Sequence, residues 1–232
     1  MKSTTTKLST NKLSLITALG FGIATISISA NAAEDLSYSY LELDYINLNI
    51  DEVGDSGSVL DDLDNGGGWG ARGSFALAPN WFLFGSYSVT DADANFIDDT
   101  NQLFSSNTDI NRLEVGAGYH SSINSMSDLV LRVAYTDIDS DGFNFGGTAS
   151  ASFHDLDDDN SDGFFVDASL RSQLMDTLEG SLGVRYTDLE QFDNISVIGN
   201  LMYELSPSMG LNFGLEAGDN ISHFLIGLRF SY

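Results

Sequence analysis

The sequence predicts an all-β chain: an antiparallel, up-and-down transmembrane β-barrel of ten strands, with eight strands as the alternative. Three observations predict it. Apolar and polar residues alternate with period two along almost the whole chain after residue 36, which gives a strand two unlike faces. Every arginine after residue 12 falls on one of those faces, and the other is almost free of charge. Aromatic residues on the uncharged face gather at the strand ends.

The first 32 residues read differently. Lys2, Lys7 and Lys12 precede a mostly apolar stretch, Leu13 to Ala30, which closes on Ala30-Asn31-Ala32. A basic start, an apolar centre and small residues before a cut make a secretory signal peptide. The chain therefore divides into a cleaved signal, 1–32, and a barrel domain, 33–232. All the lysines lie in the signal, so the mature chain has six arginines against 34 acids, a net charge of −28. Such a charge excludes nucleic acid as a partner by repulsion. There is no cysteine, so no disulfide is expected. Acidity with few hydrophobes would suggest disorder, but 42% of residues are apolar and 26 are aromatic.

Strands are expected at about 37–49, 67–78, 80–90, 109–120, 129–136, 163–172, 178–187, 194–205, 209–218 and 221–232. Along 178–187, Leu178, Gly180, Leu182, Val184 and Tyr186 share one face; Glu179, Ser181, Gly183, Arg185 and Thr187 share the other. Connections alternate between short ones (78–80, 121–127, 173–176, 206–208) and long ones (50–66, 91–108, 139–162). Short periplasmic turns and longer external loops are the arrangement of outer-membrane barrels.

The polar face carries Arg72, Arg112, Arg132, Arg171, Arg185 and Arg229, with Glu42, Asp44, Glu114, Asp167, Glu179, Glu204 and Glu216. An apolar face in contact with lipid explains why the other side is uncharged, since a midplane charge costs about 2–4 kcal/mol. Charges enclosed in the lumen must then pair. A two-residue turn at Asp219-Asn220 sets Glu216 opposite His223 and Gly210 opposite Arg229, and a turn at Leu174–Met175 brings Arg171 to Glu179. Inward glycines Gly116, Gly118, Gly183, Gly214 and Gly227 are expected to leave room for arginine side chains. Tyr45, Tyr87, Tyr135 and Tyr186 form the external aromatic belt; Trp81, Tyr119, Tyr203, Phe230 and Tyr232 form the periplasmic one.

The last strand ends Leu225-Ile226-Gly227-Leu228-Arg229-Phe230-Ser231-Tyr232. Gly227, Phe230 and Tyr232 resemble the C-terminal signal that barrels present to the barrel assembly machinery; Leu225 departs from its polar first position. With the signal peptide, the chain resembles the small outer-membrane barrel families typified by the OmpA transmembrane domain and OmpX. The resemblance implies the outer membrane of a Gram-negative bacterium, reached after export to the periplasm. Its implied partners are outer-membrane lipid, lipopolysaccharide and the assembly machinery, and the chain is expected to be a monomer. Those barrels have eight strands, and the chain ends at the barrel, so no peptidoglycan tether is implied.

Candidate chemistry is sparse. Asp137, Asp139 and Asp141 before Gly142, and Asp158, Asn160 and Asp162 before Gly163, resemble calcium loops, but Thr148 and Ser169 stand where a bidentate Glu is expected. A solvated acidic loop is the favoured reading, calcium at these loops the alternative, and no other cofactor is expected. Omptin proteases resemble the chain in strand count, but the Asp-x-His motif is missing. Glu216 with His223 fits a lumen ion pair better than an acid–base pair, and the adjacent Ser222 and His223 point to opposite faces. The expected function is therefore non-enzymatic: a structural or surface-interaction role through acidic external loops. A narrow cation-preferring channel is the first alternative, and a divalent-cation-dependent adhesion or lipopolysaccharide contact is the second.

Overall fold

The computed structural model describes residues 36–50, 62–97, 103–140, 144–145, 159–190, 193–218 and 221–232. The expected signal peptide and the tips of the external loops lie outside these residues.

Ten long antiparallel strands form a closed barrel, and they run β1 (Tyr40–Ile50), β2 (Asp62–Ala78), β3 (Trp81–Ile97), β4 (Leu103–Asn124), β5 (Ser127–Ser140), β7 (Asp159–Met175), β8 (Leu178–Leu189), β9 (Asp193–Ser206), β10 (Met209–Ala217) and β11 (Ile221–Ser231). Each strand pairs with the next, and β1 closes on β11 from Tyr40 opposite Ser231 to Ile50 opposite Ile221. A two-residue strand, β6 (Asn144–Phe145), pairs with β4 outside this ring. Closure leaves no unpaired edge, as hydrocarbon requires.

The faces of the strands follow the alternation in the sequence. On β8, Leu182 is 66% exposed and Val184 55%, whereas Glu179 and Arg185 are each 7% exposed. Around the wall Leu43, Phe75, Val115, Leu170, Val197 and Leu228 face outward in the same way. In water, an apolar belt on this scale would far exceed the few hundred Å² that a soluble monomer exposes; in lipid it has a partner. Trp69 packs edge-on to Tyr45, and Trp81 to Tyr119, in the outer aromatic rows.

Several expectations need correction. Four strands run well beyond the expected bounds: β4 has 22 residues and β2, β3 and β7 have 17 each. At about 3.3 Å per residue and a tilt near 40°, 22 residues rise roughly 55 Å, about twice the apolar band. The long 91–108 connection is mostly strand, since Phe96 pairs with Phe104 and Ile97 with Leu103. The extra pairing costs little once the hairpin has begun, because each added residue gains ladder bonds. The β7–β8 turn is at Asp176–Thr177 rather than Leu174–Met175, with a register shift between Gln173 and Met175 that absorbs the difference. The β4–β5 turn is tighter than expected: the Asn124 side chain accepts a hydrogen bond from Met126 N at 2.8 Å, which builds the turn locally.

The inward glycines make room for something other than arginine. A Cβ on Gly118 would strike the Phe82 ring, and one on Gly214 would meet the Leu225 side chain. A Cβ on Gly227 would overlap the Asp44 carboxylate, and Gly116 and Gly183 lie against the backbone of the neighbouring strands. The space is taken by apolar rings, one carboxylate and close strand approach.

Candidate functional site: the lumen

All six arginines point into the lumen, and each lies within 4 Å of a carboxylate. Arg72 meets Asp44 at 2.8 Å and Glu42 at 3.4 Å, and Arg229 reaches the same Glu42 at 3.4 Å. Arg112 meets Glu114 at 2.6 Å, Arg132 meets Asp167 at 2.9 Å, and Arg171 meets Glu179 at 2.6 Å. The described ion pairs do not include Glu204, which lies on the same face near the periplasmic end. Gly210 stands opposite Arg229, and Glu216 opposite His223 with 3.4 Å between the side chains.

Arg185 holds the centre. Its guanidinium contacts Asp167 at 3.2 Å, Glu216 at 2.9 Å and Glu114 at 3.7 Å. Glu216 is on β10 and Glu114 on β4, five places apart in a ring of ten. These are opposite walls, so one side chain ties the barrel across its diameter. Its other face rests on the fully buried Phe165 ring, 3.9 Å from the centroid. Ser196 donates a hydrogen bond to the second oxygen of Glu216 at 2.8 Å, and Ser86 donates to Glu114 at 3.0 Å. Burial of so many charges is tolerable because each of these arginines has a carboxylate partner, although Glu42 Oε1, Arg112 Nε, Glu114 Oε1 and Arg229 Nε are buried without a hydrogen bond.

A cavity of about 200 Å³ runs along the lumen, lined by Tyr38, Phe82, Arg171 and Ser181 toward the periplasmic end and reaching Arg185 and Glu216 of this belt. The periplasmic mouth is filled by Leu36, Tyr38, Phe82 and Val130, with Phe84 packed against them. The Tyr38 ring stacks on His120 with centroids 3.9 Å apart and planes 6° apart. Its hydroxyl donates to Asp128 at 2.9 Å, and Asp128 also lies 3.3 Å from His120 Nδ1.

Sequence reasoning missed this mouth. Asp128 fell between an expected turn, 121–127, and an expected strand, 129–136, and Tyr38 stood at the edge of an expected strand. The only signal was an acid and a histidine beside apolar residues at one end of the barrel. The reach of Arg185 across the lumen was also not legible, because periodicity gives a face but not a distance.

The acidic motifs are not two separate loops. Asp137 and Asp139 lie on β5, Asn160 and Asp162 on β7, and the pairing sets Asp137 opposite Asp162 and Asp139 opposite Asn160. Asp141 and Asp158 lie outside the described residues. Among the described residues, no group of three or more His, Cys, Asp or Glu could hold a metal ion. Of the C-terminal residues, Gly227 faces inward, and Phe230 and Tyr232 are exposed on the outer face.

A family model described as "outer membrane protein beta-barrel domain" matches residues 17–204. Among solved structures, the chain is similar to the β domain of the Bordetella autotransporter BrkA, with 10% identity over 83% of this chain and 98% of that one and a TM-score of 0.56. It is also similar to the translocator domain of the autotransporter NalP from Neisseria meningitidis, with 10% identity over 86% and 91% and a TM-score of 0.53. Ail of Yersinia pestis matches at 14% identity over 84% and 97%, with a TM-score of 0.42. The likenesses to BrkA and NalP are likenesses of fold. A search of curated proteins finds no match.

Proposed function

The chain belongs to the family of outer-membrane β-barrel domain proteins, and on that premise we propose that it is a non-enzymatic barrel with a closed lumen, acting as a structural or surface-interaction protein through its acidic external loops. The observation that carries this reading is the Arg185 bridge. A guanidinium bound to both walls and to Asp167 crosses the bore at that level, and moving it aside takes one partner from each of three carboxylates in a low-dielectric interior. Export through the predicted signal peptide and delivery to the barrel assembly machinery through Gly227, Phe230 and Tyr232 belong to the same proposal. The test is conductance in planar bilayers containing the refolded protein. The closed reading expects no steady open state. Steady cation-selective steps would instead support the narrow channel.

One observation favours a second reading, a divalent cation bridging to lipopolysaccharide phosphate. Asp137 and Asp162 stand directly opposite each other on the outward side, where like charges across a pair are destabilising. A bound cation would relieve that repulsion. Titration calorimetry of the refolded protein with calcium discriminates: saturable heat that Asp137→Asn abolishes supports the site, and no heat and no thermal shift removes it.

A further inference from the structure

We propose that residues Leu36–Ser39 form a plug that seals the periplasmic mouth, a second closure in series with the Arg185 belt at the periplasmic end of the lumen chamber. The inference rests on the closed-lumen reading and goes beyond it, because it assigns a separate gate to a separate segment.

The strap precedes β1 and is not part of the barrel ladder. Among the described residues its one backbone-to-backbone bond to the barrel is Tyr232 N to Ser39 O, 3.2 Å. The backbone N–H of Ala76 on β2 also donates to the Ser39 hydroxyl at 3.1 Å, and the other hydrogen bonds that hold the strap involve side chains. Arg171 on β7 donates to the Ser37 carbonyl at 2.8 Å, and Ser74 on β2 donates to the Tyr38 carbonyl at 2.8 Å. Tyr38 then crosses the mouth to Asp128 on β5, four places round the ring from β1. On the way it lies against His120 of β4 and Phe82 of β3, with the Arg171 guanidinium 4.8 Å from its ring centre. Five wall strands thus grip four residues.

The packing around the strap has the character of a seat. Leu36, Tyr38, Phe82 and Val130 are the one cluster of buried apolar residues among the described residues, at the mouth of a lumen that also holds many buried charges. Without Leu36 and Tyr38, Phe82 and Val130 would face a wet cavity. Gly118 has no side chain where the Phe82 ring lies, which lets that ring tilt toward Tyr38. A Tyr rather than a Phe suits the slot because its hydroxyl reaches Asp128, a buried carboxylate that also accepts from Ser122 at 2.8 Å. A segment held by side-chain contacts and by a single ladder bond can leave without unzipping a strand, which places its opening well below the free energy of global unfolding.

The chain has no cysteine, so an introduced one is unique. Ser181 lines the chamber on β8, four residues toward the periplasm from Arg185. The experiment measures the rate at which Ser181→Cys, in the refolded protein in micelles, reacts with a charged thiol reagent. Ser208→Cys in an exposed turn gives the open rate. The plug predicts that Ser181→Cys reacts at least about tenfold more slowly than Ser208→Cys, and that adding Tyr38→Gly removes most of that protection, whereas Tyr38→Phe keeps it. If Tyr38→Gly does not fold, a lone Leu36→Cys, which keeps the Tyr38 contacts, is measured instead; slow reaction supports a seated plug and reaction at the open rate overturns it. Protection lost on Arg185→Ala but kept on Tyr38→Gly overturns the plug and leaves the belt standing. Ser181→Cys reacting as fast as Ser208→Cys overturns both closures.

Discussion

Replacing Arg185 with alanine removes the one group that ties three strands across the lumen. Glu114, Asp167 and Glu216 each lose a partner, but none is left alone. Asp167 keeps Arg132 at 2.9 Å, Glu114 keeps Arg112 at 2.6 Å, and Glu216 keeps Ser196 at 2.8 Å and His223 at 3.4 Å. Loss of one partner from a buried ion pair costs about 3–5 kcal/mol. With these remaining partners the expected cost lies near the lower limit, about 3 kcal/mol. Phe165 also loses the guanidinium stacked on it, at 3.9 Å. The assay is reversible urea unfolding in lipid vesicles, followed by tryptophan fluorescence and by the gel shift that separates folded from unfolded barrels. The double variant Arg185→Ala/Glu216→Ala should be less destabilised than the sum of the two singles, with a coupling of about 0.5–3 kcal/mol. A single variant within about 0.5 kcal/mol of the native chain, or strictly additive singles, would refute a buried network and indicate charges already solvated by a wet lumen.

The remaining predictions concern the lipid face, the glycines and the last residues. Val184→Arg places a charge in the outward apolar belt and should cost about 2–4 kcal/mol in the same unfolding assay; a cost near zero would mean that this face does not meet hydrocarbon. Gly118→Ala drives a methyl into the Phe82 ring and should cost about 1–3 kcal/mol, relieved in part by Phe82→Leu. Gly199→Ala meets no atom closer than 3.9 Å and should be neutral, so equal effects at the two sites would contradict the packing. Removal of Phe230–Tyr232 should lower the amount of folded barrel in outer-membrane fractions while purified protein still refolds in vesicles; unchanged levels in cells would refute an assembly role.

Much of the wall was legible because a closed barrel imposes one rule on every strand. Val184 and Arg185 are neighbours in sequence and must face lipid and lumen, so alternation alone assigns them. The Glu216–His223 pairing was legible because a two-residue turn fixes register across β10–β11. The β7–β8 turn shows where that reasoning stops: the shift between Gln173 and Met175 adds a residue that periodicity does not reveal. The glycines show a second limit. Gly118 and Gly227 signal that something approaches closely, but only the fold shows that it is Phe82 in one case and Asp44 in the other. Tyr38 was not legible as a functional residue at all, because its partners Asp128, His120 and Arg171 are distant in sequence and meet only when the ring closes. The acidic motifs were read as loops because Asp and Gly favour turns, yet pairing with a neighbouring strand overrides that preference at Asp137 and Asp162.

The account stands on one assignment, apolar side chains in lipid and arginines enclosed, and site-directed spin labelling in vesicles tests it most directly. Nitroxides at Val115→Cys and Val184→Cys, both on the outer face, should be highly accessible to oxygen dissolved in the bilayer and shielded from a water-soluble nickel complex. A nitroxide at Ser88→Cys, on the inner face of β3, should show low oxygen accessibility. The reverse pattern, or equal oxygen accessibility at all three positions, would contradict the account.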